Sequence, residues 1–123
     1  METTRIAPIA LAAAQTLALR ETGPRAEPLS GTPVESSAPL YSDALVDVGV
    51  WECTPGSFRA ARDGFGEVAH VIAGRGRLVS DSGEVTELAP GAVVVTPEGW
   101  TGTWTIDETL RKLYVIWHAA PRA

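Results

Sequence analysis

Ala89-Pro90-Gly91-Ala92-Val93-Val94-Val95-Thr96-Pro97-Glu98-Gly99-Trp100-Thr101-Gly102-Thr103-Trp104 decides the fold of this chain. Two turn signals, Pro90-Gly91 and Pro97-Glu-Gly99, bracket a run of valines that favours a pleated strand, and a tryptophan-rich strand follows. Working outward, Asp81-Ser82-Gly83-Glu84 separates two alternating runs and reads as a hairpin. The pattern predicts strands over Val46 to Cys53, Ser57 to Ala61, Glu67 to Ile72, Arg77 to Asp81, Glu84 to Leu88, Ala92 to Thr96, Thr101 to Ile106 and Arg111 to His118. Further turns are expected at Pro55-Gly56, Asp63-Gly64 and Gly74-Arg-Gly76. No helical period survives after residue 20, and no internal repeat is present. Short strands punctuated by turns make an all-β chain, not an alternation of strands and helices. Eight such strands fit either a small sandwich or a jelly-roll barrel.

A length of 123 residues suits one domain with a core that needs no metal or disulfide. The formal net charge of −5 and the scatter of basic residues give no patch for a phosphate backbone, so nucleic acid is not an expected partner. Cys53 is the only cysteine, which rules out an intrachain disulfide or a cysteine-rich zinc site and leans towards a cytoplasmic location. The apolar run Ile6 to Leu19 is interrupted by Pro8, Gln15 and Thr16, and Glu2 offsets Arg5. It reads as an arm and not as a secretory signal, and it is too broken to span a bilayer. Residues 20–39 carry Gly23, Pro24, Pro28, Gly31, Pro33 and Pro39, a composition that reads as an extended linker. The expected division is an arm over 1–39 and a compact domain over 40–123.

Four segments together resemble the cupin family: Gly49-Val-Trp51-Glu52-Cys53-Thr-Pro55-Gly56-x-Phe58, Glu67-x-x-His70-Val-Ile-x-Gly74, the Pro-Gly run to Trp104, and Thr109-Leu-Arg111-Lys112-Leu-Tyr114-Val-Ile. The likeness is to small single-domain cupins related to the cupin domain of (S)-ureidoglycine aminohydrolase. It covers about residues 40–118 and implies a double-stranded β-helix, the jelly-roll barrel, preceded by the extended arm. Metal cupins bind a divalent ion through histidines and the Glu of the first motif. In this chain Ala61 and Asp63 fall near the first two histidine positions and Gly102 at the last. Two carboxylates do not make a tight transition-metal site, so no metal and no other cofactor is expected.

With Glu67 facing the barrel lumen, as the resemblance implies, Ala69 and Val71 share its face and His70 points outward. Trp100, Gly102 and Trp104 share a face, so the tryptophans either wall an aromatic pocket or fill volume left by a metal. Lys112 and Tyr114 share the face that the resemblance turns inward, where either is a candidate partner for the Glu67 carboxylate. Trp51 shares the parity of Cys53, a small buried hydrophobe without a case for nucleophilic chemistry. His118 reads as an ordinary exposed or hydrogen-bonded side chain. Gly74-Arg-Gly76 is a tight turn and not a phosphate loop, because no helix follows it, and no nucleophile elbow is present.

The ligand-binding candidates are therefore Trp51, Glu67, Trp100, Trp104, Lys112 and Tyr114. The expectation is a metal-independent cupin that binds a small polar organic metabolite, with no assigned reaction. The alternatives are an aminohydrolase-type enzyme acting on a small nitrogenous metabolite, and a non-catalytic assembly or regulatory cupin. A homodimer is expected, because a sandwich leaves sheet edges to protect.

Overall fold

The computed structural model describes residues 7–8 and 13–123, so the apolar run from Ile6 lies partly outside the described residues. Among the described residues nine strands form the fold: β1 (Arg20–Pro24), β2 (Ser30–Gly31), β3 (Val34–Ser42), β4 (Val46–Cys53), β5 (Gly56–Ala61), β6 (Phe65–Ser80), β7 (Val85–Leu88), β8 (Val93–Thr96) and β9 (Thr101–His118). All pairings are antiparallel.

The frame is the long ribbon of β6 and β9. Its first part pairs Phe65–Val71 of β6 with Lys112–His118 of β9, and its second pairs Gly76–Ser80 with Gly102–Ile106. Outside the first part lie β8, against β6, and the run β4, β3, β1 against β9. Outside the second lie β7, against β6, and β5 with β2 against β9. The ribbon thus passes from one sheet to the other and closes a jelly-roll barrel. Alternation along each strand sends Cys53, Phe58, Val71, Leu78, Leu88, Trp104, Ile106 and Leu110 into one buried cluster between the sheets.

Two pairs of expected strands are each one bent strand. The ribbon bends where its register shifts, between Val71 and Gly76. Gly74 sits at the bend with φ +87°, and a Cβ there would overlap the Thr109 carbonyl oxygen, so the close crossing of β9 requires a bare backbone. The expected Gly74-Arg-Gly76 turn is therefore a bulged corner inside β6. By contrast, the Pro90-Gly91 signal is a closed turn: the Ala92 N–H donates to the Ala89 carbonyl at 2.9 Å, and Gly91 has φ +94°.

The segment read as a linker also differs from expectation. Residues 20–24, 30–31 and 34–42 are strands of the sheet. Their prolines and glycines are tolerated because they lie at the edge or at irregularities: β1 is shifted between Glu21 and Gly23, and β3 beside Pro39.

The connection between β3 and β4, beside the cavity, is tied by Asp47. Its carboxylate accepts from Ser42 Oγ at 2.6 Å, His118 Nε2 at 2.8 Å and Arg122 Nη2 at 2.9 Å. These donors, Ser42 and His118 foremost, hold its carboxyl at about 2. A depressed carboxylate contributes stability above the usual carboxylate range and loses it as pH falls through the folded value. Asp47→Asn should therefore lower stability at pH 7 by about 1 kcal/mol, a modest effect for a partly exposed pair. The gap from wild type should close towards pH 2, as read by urea denaturation at the two pH values; a gap of constant size would refute it.

Candidate functional site

The register of the ribbon builds the site. Val71 of β6 and Trp51 of β4 both lie opposite Lys112 of β9, one on each side, and Ala69 lies opposite Tyr114. Glu67, two residues before Ala69 on β6, shares its face and pairs with Thr96 of β8. On the other sheet Phe58 lies opposite Trp104. Of these, Trp51, Phe58, Glu67, Trp104, Lys112 and Tyr114 line a cavity of about 620 Å³. Exposed Tyr41, Ser42, Arg59 and Ala61 stand at its edge, where it meets solvent.

At the floor, Lys112 Nζ donates to both oxygens of Glu67, at 2.9 and 3.0 Å. Arg62, immediately after β5, donates from Nη2 to the same Oε1 at 3.1 Å and from Nε to Thr96 Oγ1 at 2.9 Å. All three ionisable residues are buried: Glu67 and Lys112 are 5% exposed and Arg62 8%. A carboxylate taken from water needs such partners, and here it has two cations. The Lys112 ammonium also lies 4.4 Å from the Trp104 ring centroid and 4.5 Å from that of Trp51, within the attraction of both ring faces. Burial pushes the Lys112 ammonium below the ordinary lysine range; Glu67 opposes that shift and the Arg62 charge adds to it.

The aromatic wall is a packed unit. Trp51 meets Trp104 edge-on at 5.9 Å, and Phe58 lies nearly parallel to Trp104 at 6.4 Å. The Trp51 indole N–H donates to Glu35 Oε1 at 3.0 Å, and Arg25 Nη1 donates to the same oxygen at 3.1 Å while its guanidinium covers Phe58.

Of the six residues expected from sequence, Trp51, Glu67, Trp104, Lys112 and Tyr114 line the one cavity. Tyr114 does so without bonding Glu67; burial raises its hydroxyl above the ordinary tyrosine range. Trp100 does not line it. Its indole N–H donates to Ser80 Oγ at 2.9 Å, and its ring occupies the space where a side chain at position 102 would stand. The reason is local: Trp100 precedes β9 in the turn closed by its own N–H on the Pro97 carbonyl, so strand parity does not govern it. His70 is exposed, as read from alternation. Cys53 is fully buried, and burial pushes its thiol up to about 12, which leaves it inert.

Arg62 and Glu35 escaped the sequence reading. Arg62 has the parity of Phe58 and Ala60, so continuing that alternation one step past β5 would have turned it inward. Glu35 lay within the segment set aside as a linker.

The site residues do not fit the divalent ion that the fold family implies. Glu67 already accepts from two cations, Asp63 is exposed, and Gly102 offers no ligand. Among the described residues, no three His, Cys, Asp or Glu side chains gather as a metal ligand set.

Comparison with known proteins now places the chain. A family model described as the EutQ-like cupin domain matches residues 42–114. The chain belongs to this family. Among solved structures, the EutQ protein of Clostridium difficile is similar at 20% identity and a TM-score of 0.63, over 71% of this chain and 70% of that one. A protein of unknown function from Pseudomonas syringae pv. tomato is similar at 24% identity and a TM-score of 0.75, over 83% of this chain and 45% of that one, so this chain spans less than half of its length. Ectoine synthase from P. lautus is similar at 15% identity and a TM-score of 0.63, over 68% and 64%. At these identities the likeness is one of fold, and fold alone names no activity. No curated protein matches the sequence. Among the described residues, no helix of this EutQ-like cupin is long and apolar enough to cross a membrane.

Proposed function

We propose that this EutQ-like cupin binds a small organic acid in its barrel without a metal ion. One observation carries the reading: two buried cations, Lys112 and Arg62, converge on a single carboxylate, Glu67, at the floor of an aromatic-walled cavity. The local charge is one positive in excess, in a place where water cannot screen it well. A ligand carboxylate would balance that charge, and the faces of Trp51 and Trp104 would cover its apolar part. An aminohydrolase-type reaction on a nitrogenous metabolite draws on a divalent ion, whose shell the residues at the histidine positions do not supply. The metal-free reading therefore ranks first.

A thermal-shift series with propionate, lactate and pyruvate, against propionamide as the uncharged analogue, tests it. A ligand that binds only the folded state raises the melting temperature with concentration. The acids should raise it and the amide should not, and Lys112→Met, which leaves Arg62 and Glu67 as a neutral pair and is checked for folding by circular dichroism, should lose the response. Equal response to acid and amide, or none to either, would reject the charge-based reading.

A further inference from the structure

Lys112 is the only lysine in 123 residues; every other cationic side chain except the histidines is arginine. That one primary amine is buried at the cavity floor, its Nζ between two indole rings and against Glu67. Arginine serves as well or better for an ion pair, since its guanidinium forks onto a carboxylate. What lysine adds is an amine that can lose its proton and form a covalent bond to carbon.

We propose that Lys112 condenses with the carbonyl carbon of a small 2-oxo acid bound in the barrel, with Arg62 holding the acid's carboxylate. This deepens the organic-acid reading and rests on it. The arrangement favours the free amine because the Arg62 guanidinium, which does not deprotonate, stands beside the same carboxylate and disfavours a second positive charge at Lys112. Desolvation acts in the same direction. Arg62 Nη2, at 3.1 Å, and Lys112 Nζ, at 2.9 Å, both donate to Glu67 Oε1, which places the two cations side by side on the cavity floor, where one small 2-oxo acid can meet both. Among the described residues Arg62 Nη1 makes no hydrogen bond, so the guanidinium retains a donor for the ligand.

The step balances without oxidant or reductant. The ammonium passes a proton to Glu67, and the free amine adds to the carbonyl carbon to form a C–N bond. The carbonyl oxygen takes up two protons, one from Glu67 and one from the nitrogen, and leaves as water. A protonated C=N linkage remains. It carries the single positive charge that the ammonium carried, so Glu67 and the two indole faces stabilise the product as they did the reactant.

The absence of other lysines makes the test direct. The full chain is incubated with pyruvate and sodium cyanoborohydride, whose hydride reduces the iminium to a stable secondary amine, and adducts are located by peptide mass mapping. Lys112 should be labelled on the order of tenfold faster in the folded chain than in urea, where it is an ordinary exposed amine. Lys112→Arg, which keeps the charge, should remain folded and carry label only on the α-amine. Labelling confined to the α-amine, or no faster at Lys112 in the folded chain than in urea, overturns the inference. The melting-temperature response to lactate, which has a carboxylate but no carbonyl, separates the two readings. A response to lactate without labelling refutes the amine chemistry alone, and no response with no labelling refutes both.

Discussion

Glu67→Ala is expected to destabilise the fold by about 3–5 kcal/mol, the usual cost of removing one partner from a buried ion pair. The cost arises less from the lost attraction than from what stays behind: Lys112 and Arg62, both buried, would face each other without an anion. That is a large share of the roughly 5–15 kcal/mol that holds a small domain together. Glu67→Gln should cost less, because its amide oxygen still accepts one of the bonds. Adding Lys112→Met to Glu67→Ala should recover part of the loss by removing one stranded charge, a coupling of about 1–3 kcal/mol in a double-mutant cycle. Urea denaturation of wild type, Glu67→Ala, Glu67→Gln, Lys112→Met and the Glu67→Ala/Lys112→Met double variant measures all of this. A Glu67→Ala variant within 1 kcal/mol of wild type would mean that the cluster is wet and its charges screened.

What could be read from sequence was set by how local its cause is. The strand at Val46–Cys53, the Ser82-Gly83 hairpin and the Pro90-Gly91 turn each follow from residues inside them, and each stands where alternation and turn chemistry place it. The long ribbon was read as two pairs of strands because Gly74 signals a turn in sequence. Its use at a bend depends on Thr109, thirty-five positions later, crossing over it. The strands at Arg20–Pro24 and Val34–Ser42 were missed for the opposite reason: their composition argues against a ladder, and only the partner strands β3 and β4 make one. The candidate site divides likewise. Glu67, Lys112, Tyr114, Trp51 and Trp104 were reachable from parity and a family motif. Arg62 lies one residue beyond β5, and its role emerges only when Thr96 and Glu67 meet it across the barrel.

The charge pattern links fold and site. Surface pairs such as Arg75 with Glu108 and Arg77 with Asp107 are mostly exposed and contribute little. The buried trio differs in kind, because buried ion pairs and triads are often replaceable by well-packed apolar side chains without loss of stability. Burial of such a cluster is costly to assemble, and its place at the floor of a cavity is better explained by what it binds than by stability.

Gly102→His tests whether the barrel could regain the metal ligand expected at this position, and the expected result is failure. A Cβ on residue 102 would lie 2.5 Å from the Val79 carbonyl oxygen and 2.5 Å from Trp100 Cζ2. The first neighbour is backbone held in the β6–β9 ladder, and the second is a ring anchored by its bond to Ser80. Neither can move without breaking a hydrogen bond, so the substitution should cost about 3 kcal/mol, the upper end for forcing bulk into a packed interior. Trp100→Ala in the same chain should recover only part of that, since the Val79 carbonyl remains. Zinc or nickel should not raise the melting temperature of Gly102→His, because Glu67 stays committed to Lys112 and Arg62. A stable variant whose melting temperature rises with added metal would show that the space is open and that the cations release Glu67.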